Sequence, residues 1–122
     1  MLYKDLDVYR KSIDFVVDIY KITESFPDSE RFGLVSQLRR AAVSLPSNLA
    51  EGSGRNGKKE LINFLHIARG SLFEIGTQLE ISQRLGFVSQ ENYAKLEERR
   101  ATIQRMMNAL ISSLRKKGEN ND

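Results

Sequence analysis

Cysteine is absent from the 122-residue chain, which excludes a disulfide framework and a thiolate metal site. A single histidine, His66, leaves too few imidazoles for a multi-histidine metal centre within one chain. It also offers little to a Ser-His-acid relay, and its place off the main apolar stripe reads as surface or rim. No apolar run approaches the roughly 18 residues of a membrane span. The opening MLYKDLDVYRK lacks the apolar block of a secretory leader. A cytoplasmic protein without membrane association, metal or cofactor is expected. No strand pattern occurs, so what remains is helix.

One domain covers residues 1–122, large enough to build its own core. In a first segment Leu6, Tyr9, Ile13, Val16 and Tyr20 recur at spacings of three and four. The second carries Leu34, Leu38, Ala41, Ala42, Leu45 and Leu49; the third Leu61, Leu65, Ala68, Leu72, Ile75 and Leu79. The fourth carries Tyr93, Leu96, Ile103, Met107, Leu110 and Leu114, with Arg100 intruding at a seam position. These stripes predict four helices over about 4–25, 31–53, 57–85 and 89–117, joined as an all-α, antiparallel, up-and-down four-helix bundle.

The few prolines and glycines punctuate this pattern. Phe26-Pro27-Asp28-Ser29 separates the first two helices, Gly86 can take a left-handed cap, and Ser89 can cap the fourth helix. Pro46 falls inside the second helix, yet Leu45 and Leu49 keep the phase, so one kinked helix is expected. The tail GENND reads as a polar, frayed end.

Two helices carry more apolar surface than one bundle face uses. Val8, Phe15, Ile19 and Ile22 form a second stripe on the first helix, and Ile62 and Phe73 lie off the main stripe of the third. These six are the expected contacts of a homo-oligomer, because a helix with two apolar faces needs two partners; the alternative is a broad core face in a compact monomer.

The net charge of +3 is unevenly spread. Residues 31–59 hold six basic side chains against one acidic, and residues 99–117 hold six and no acid. Such segments suit either a solvated bundle surface or a polyanion. Within the first of them, GSGRNGKK at 52–59 imitates a nucleotide-binding loop, but Lys59 stands where Ser or Thr would hold magnesium. No strand precedes it, so it is no nucleotide site. Its Arg55, Lys58 and Lys59 remain candidates for contacts to phosphate on a glycine-rich loop before a helix N-terminus.

Upstream, Arg40, Ser44, Ser47 and Glu51 share one helix face, with Gln37 and Asn48 beside them. Ser71, Glu74 and Gln78 repeat that spacing on the third helix. Ser44, Asn48, Glu51, Ser71 and Glu74 are read as a polar network across a helix pair or a subunit boundary. The alternative, acid–base work by Glu51 and Glu74, lacks an evident cleft. On the fourth helix Lys95, Arg99, Arg105 and Lys117 gather near one flank, and without exposed aromatics they suit phosphate better than bases.

The stretch FGLVSQLRRAAVSLPSNLAEGSGR, followed by FLHIARGSLFEIGTQLEIS, resembles the four-helix-bundle proteins encoded in intervening sequences of bacterial ribosomal RNA genes. The resemblance implies an up-and-down bundle and a ring-shaped homopentamer. The chain is also similar to the accessory variability determinant of diversity-generating retroelements, a basic pentameric barrel that works with a reverse transcriptase and nucleic acid. The family pattern falls on Arg39, Arg40, Ser44, Asn48, Glu51, Gly52, Ser71 and Glu74.

The expected function is therefore a non-enzymatic oligomer that binds nucleic acid, RNA rather than DNA. Arg55, Lys58 and Lys59 would make flexible phosphate contacts, and Arg39, Arg40, Arg99 and Arg105 a fixed charged surface. The alternative is a ring that binds another protein, such as a nucleic-acid-processing enzyme, without touching nucleic acid.

Overall fold

A computed structural model describes residues 3–120, and the side chains of 3–116. Met1, Leu2, Asn121 and Asp122 lie outside the described residues, and with them the end of the polar tail. Four helices follow one another: α1 (Asp7–Thr23), α2 (Leu34–Ser53), α3 (Lys58–Arg84) and α4 (Gln90–Asn120). Among the described residues there is no strand. Each helix packs on its neighbours in the cycle α1–α2–α3–α4–α1, and the pairs α1/α3 and α2/α4 stand diagonally. This is the expected antiparallel bundle.

The helix boundaries follow local chemistry. Tyr3–Asp5 forms a separate 3-10 turn, so α1 begins at Asp7 and not near residue 4. Asp28–Glu30 forms another, and Glu30 Oε1 accepts the Leu34 N–H at 3.2 Å to start α2 later than residue 31. Pro46 lies within α2, buried, and the helix continues past it as expected. Gly86 adopts a left-handed φ of 81° and donates to the Gln83 carbonyl at 3.0 Å, ending α3. Ser89 Oγ accepts the Asn92 N–H at 3.1 Å and caps α4. α4 runs to Asn120, past the end expected from the polar tail.

The core takes the predicted stripes of α2 and α3 almost whole, with Leu38, Leu45, Leu49, Leu65, Leu72, Ile75 and Leu79 fully buried. On α1 the outcome is mixed: Leu6, Tyr9 and Val16 of the expected stripe pack partly buried against the core, but its centre is held by other residues. Val8, Phe15 and Ile19, expected at an oligomer interface, are inside the bundle, and Ile22 and Ile62 pack partly buried against the same core. Of the six interface candidates only Phe73 remains exposed.

The buried stripe of α1 also contains Ser12 and Thr23. Their hydroxyls donate to the Val8 and Ile19 carbonyls, each at 2.7 Å, so burying them leaves no unmet donor. The stripe expected in the core instead turns Ile13 and Tyr20 outward, beside Val17.

At the end of α2, Gly52 brings α2 and α3 into close approach. A Cβ there would meet the Phe64 Cβ at 2.9 Å and the Leu61 Cδ1 at 3.0 Å. This crossing fixes where the loop to α3 emerges.

Candidate nucleic-acid interface

The chain leaves α2 after Ser53 and enters α3 at Lys58. Gly57, at a φ of 99° that side-chain-bearing residues avoid, makes the turn. Lys58 and Lys59 therefore stand in the first turn of α3, both exposed. Among the described residues neither has a salt-bridge partner. The helix macrodipole disfavours cations here by a few tenths to about 1 kcal/mol each. These lysines sit where an anion would be stabilised.

The same end of the bundle receives the C-terminal half of α4. There Arg69 of α3 and Arg115 of α4 converge on His66: Arg69 Nη2 lies 3.0 Å from Nδ1, and Arg115 Nη2 lies 2.8 Å from Nε2. Arg69 Nη1 also donates to Asn108 Oδ1 at 3.1 Å. Partial burial first, then the positive charges of Arg69 and Arg115, hold the imidazole below its ordinary value. Sequence reasoning passed over Arg69 and Arg115. The signal available was the i, i+3 spacing of His66 and Arg69; the approach of Arg115 depends on the α3–α4 pairing.

The other candidates are dispersed. Arg55 pairs with Glu51 at 2.7 Å, an exposed one-turn bridge worth about 0.3–0.5 kcal/mol. Arg39 stacks 4.5 Å over the Tyr20 ring and donates from Nε to Thr23 Oγ1 at 3.0 Å, tying α2 to α1. Arg99 pairs with Asp18 of α1 at 2.7 Å. Arg105 donates to Thr102 Oγ1 at 3.1 Å. The Lys117 side chain lies outside the described residues. Arg40 is exposed and lines a groove with Phe32, Gln37, Ser44, Ser71 and Glu74.

Arg39 and Arg40 do not join the cations at the end of α2: the helix from Arg40 to its end at Ser53 is about 20 Å long, and Arg55 lies beyond it. Arg39 and Arg99 thus also tie α2 and α4 to α1, while the Arg99 side chain stays 55% exposed.

Part of the expected polar network forms. Ser44 Oγ donates to Ser71 Oγ at 2.5 Å across the α2–α3 seam, and Asn48 Nδ2 donates to the Ser44 carbonyl at 2.7 Å. Glu51 and Glu74 line different grooves and do not form a carboxylate pair. Gln78 Nε2 reaches Gln37 Oε1 at 3.4 Å while its own Oε1, buried, has no partner. Arg100 pairs with Glu97 of its own helix at 2.6 Å and also reaches the Leu72 carbonyl of α3 at 3.2 Å.

Among the described residues no group of acidic and histidine side chains could hold a metal ion, and no helix is long and apolar enough to cross a membrane. Most of the exposed apolar side chains fall on two diagonal helices, with Val43 on α2 apart from them. Ile13, Val17 and Tyr20 lie on α1, and Ile67, Phe73, Ile81 and Leu85 on or just beyond α3. Phe32, before α2, is 89% exposed.

No curated protein matches the chain. Among solved structures, a protein of unknown function from the S23 ribosomal protein family of Bacteroides thetaiotaomicron is similar, with a TM-score of 0.77 and 25% identity. The match covers 85% of this chain and 97% of that one. The model of the 23S rRNA-intervening sequence protein family matches residues 4–109, which spans all of α1 to α3 and most of α4. The chain belongs to the 23S rRNA-intervening sequence protein family.

Proposed function

We propose that the protein is a non-enzymatic, ring-shaped homo-oligomer that binds nucleic acid, RNA before DNA, through the basic end of its bundle. The observation that carries this reading is the placement of Lys58 and Lys59. Two exposed cations without acid partners among the described residues occupy a helix N-terminus, a position that weakens the fold unless an anion arrives. Contacts of this kind orient a phosphate backbone without reading bases. In a cytoplasmic ring the same end recurs in every subunit, so individually weak contacts add by avidity.

The ring is supported by two separate apolar faces, on α1 and on α3. Faces on diagonal helices differ from one another, so head-to-tail contact joins the α1 face of one subunit to the α3 face of the next. Such contacts close into rings when the rotation permits, and the family resemblance favours five subunits. Val17→Glu places a charge on the α1 face at a residue 46% exposed in the single chain. Light scattering should then report a smaller species with unchanged helix content. An unchanged mass would contradict the assignment of this face.

Fluorescence anisotropy with a labelled structured RNA tests the function. The Lys58→Ala/Lys59→Ala protein should bind at least about tenfold more weakly at low salt, with a salt slope shallower by about one per lost contact. Equal binding by the two proteins would remove the loop from the interface. Absence of binding by either would favour a ring whose partner is a protein, for which Phe32 is the exposed anchor.

A further inference from the structure

His66, Arg69 and Arg115 make an arrangement that is incomplete by itself. A neutral imidazole has one acceptor nitrogen and one N–H, and a guanidinium has donors only. Yet a guanidinium nitrogen stands within 3.0 Å of Nδ1 and another within 2.8 Å of Nε2. Whichever tautomer is present, one of the two contacts sets donor against donor, and protonation would make both so.

Asn108 satisfies a single donor of Arg69. Among the described residues no carboxylate lies within salt-bridge distance of Arg69 or Arg115. Glu119, one turn beyond Arg115, has its side chain outside them. Among the described residues, two positive charges and a donor-rich ring thus meet without a countercharge.

We infer that His66, Arg69 and Arg115 form a phosphate clamp between α3 and α4. A tetrahedral oxyanion seated there accepts from both guanidiniums and from an imidazole N–H, so each donor gains a charge-assisted partner. The guanidiniums approach from different helices, which suits several oxygens pointing in different directions. As a contact beside the lysines of the first turn of α3, the clamp rests on the nucleic-acid reading, though its geometry admits a phosphate monoester equally.

The charged groups facing the ring are Arg69 from α3 and Arg115 from α4, with neutral Asn108 beside them. Both cations oppose protonation, and a bound anion offsets them. Protonation and binding are therefore linked: the anion raises the ring's transition, and it binds more tightly as pH falls through that transition. A phosphodiester keeps its single charge over this range, so the effect belongs to the protein.

His66 is the only histidine, so its ring proton resonance in an NMR spectrum identifies itself. The experiment follows that resonance against pH with no ligand, with inorganic phosphate, and with an oligouridylate lacking terminal phosphate. The clamp predicts a ligand-dependent rise of the transition by about one pH unit, equal to about tenfold tighter binding to the charged ring. Arg69→Gln and Arg115→Gln should each remove most of that ligand-dependent rise.

A rise with the oligouridylate assigns the clamp to a phosphodiester backbone. A rise with phosphate alone assigns it to a monoester and counts against the nucleic-acid reading. No movement with either ligand, or the same movement in both arginine variants, overturns the clamp. RNA that binds by anisotropy while the His66 resonance stays fixed overturns the clamp and leaves the nucleic-acid reading standing.

Discussion

Arg100→Ala is expected to destabilise the fold by about 2–3 kcal/mol, the largest loss from any single charged side chain in the bundle. The Arg100 side chain is only 12% exposed, and Glu97 beside it 34%. Its guanidinium makes two parallel bonds to the Glu97 carboxylate, from Nε at 2.8 Å and from Nη2 at 2.6 Å. Its Nη1 donates to Gln104 Oε1 at 2.7 Å and crosses to the Leu72 carbonyl of α3 at 3.2 Å. The hydrogen bond to Glu97 is the main reason its proton is held even more firmly than usual.

The fork packs against Gly76, where an added Cβ would meet Arg100 Nε at 3.1 Å. Alanine removes these contacts and leaves Glu97 a half-buried carboxylate without its partner. Partial exposure keeps the cost below that of breaking a fully buried pair. Arg100→Lys should recover little, because an ammonium cannot reproduce the two-pronged geometry. Urea denaturation of the three proteins measures this, and a loss under about 0.5 kcal/mol for alanine would contradict the account. The consequence reaches function, since the α3–α4 seam that Arg100 ties also holds Arg69 and Arg115 opposite each other.

What the sequence made legible divides along a physical line. Local signals survived intact: Ser89 capping α4, Gly86 closing α3, and the stripes of α2 and α3. Each depends on residues within one or two turns of one another. The face of α1 did not survive, because two stripes of similar apolarity competed. The winner was decided by which one met α2 and α4. Ser12 and Thr23 could enter the core because each hydroxyl donates to a carbonyl of its own helix.

The candidate site shows the same division. The basic loop was legible, being contiguous in the chain. The neutralisation of Arg99 by Asp18 was not, for the two are 81 positions apart. Nor was the meeting of His66 with Arg115, 49 positions away. Charge counts along a sequence describe segments, whereas a ligand meets whichever cations tertiary pairing leaves unanswered. Tertiary packing gave Arg39 and Arg99 partners on α1 and brought Arg69 and Arg115 together at the basic end.

The second large effect is in binding. Counterions released from a nucleic-acid backbone make affinity fall steeply with salt, in proportion to the number of phosphates neutralised. In the proposed ring each subunit would offer Lys58 and Lys59, joined by the arginines of the proposed clamp at the same end of the bundle. Two or three subunits acting together would neutralise about six or more phosphates. At that number, affinity falls by about a thousandfold between about 50 and 200 mM salt. An apolar surface binding a protein partner would respond much less, and in the opposite direction if salting-out dominates.

The most direct measurement is therefore the anisotropy of a labelled structured RNA with the purified protein across that salt range. The account predicts tight binding at low salt, a linear fall of log affinity against log salt, and a loss of about three orders of magnitude. Binding that is absent at 50 mM salt, or that barely changes across the series, would contradict it.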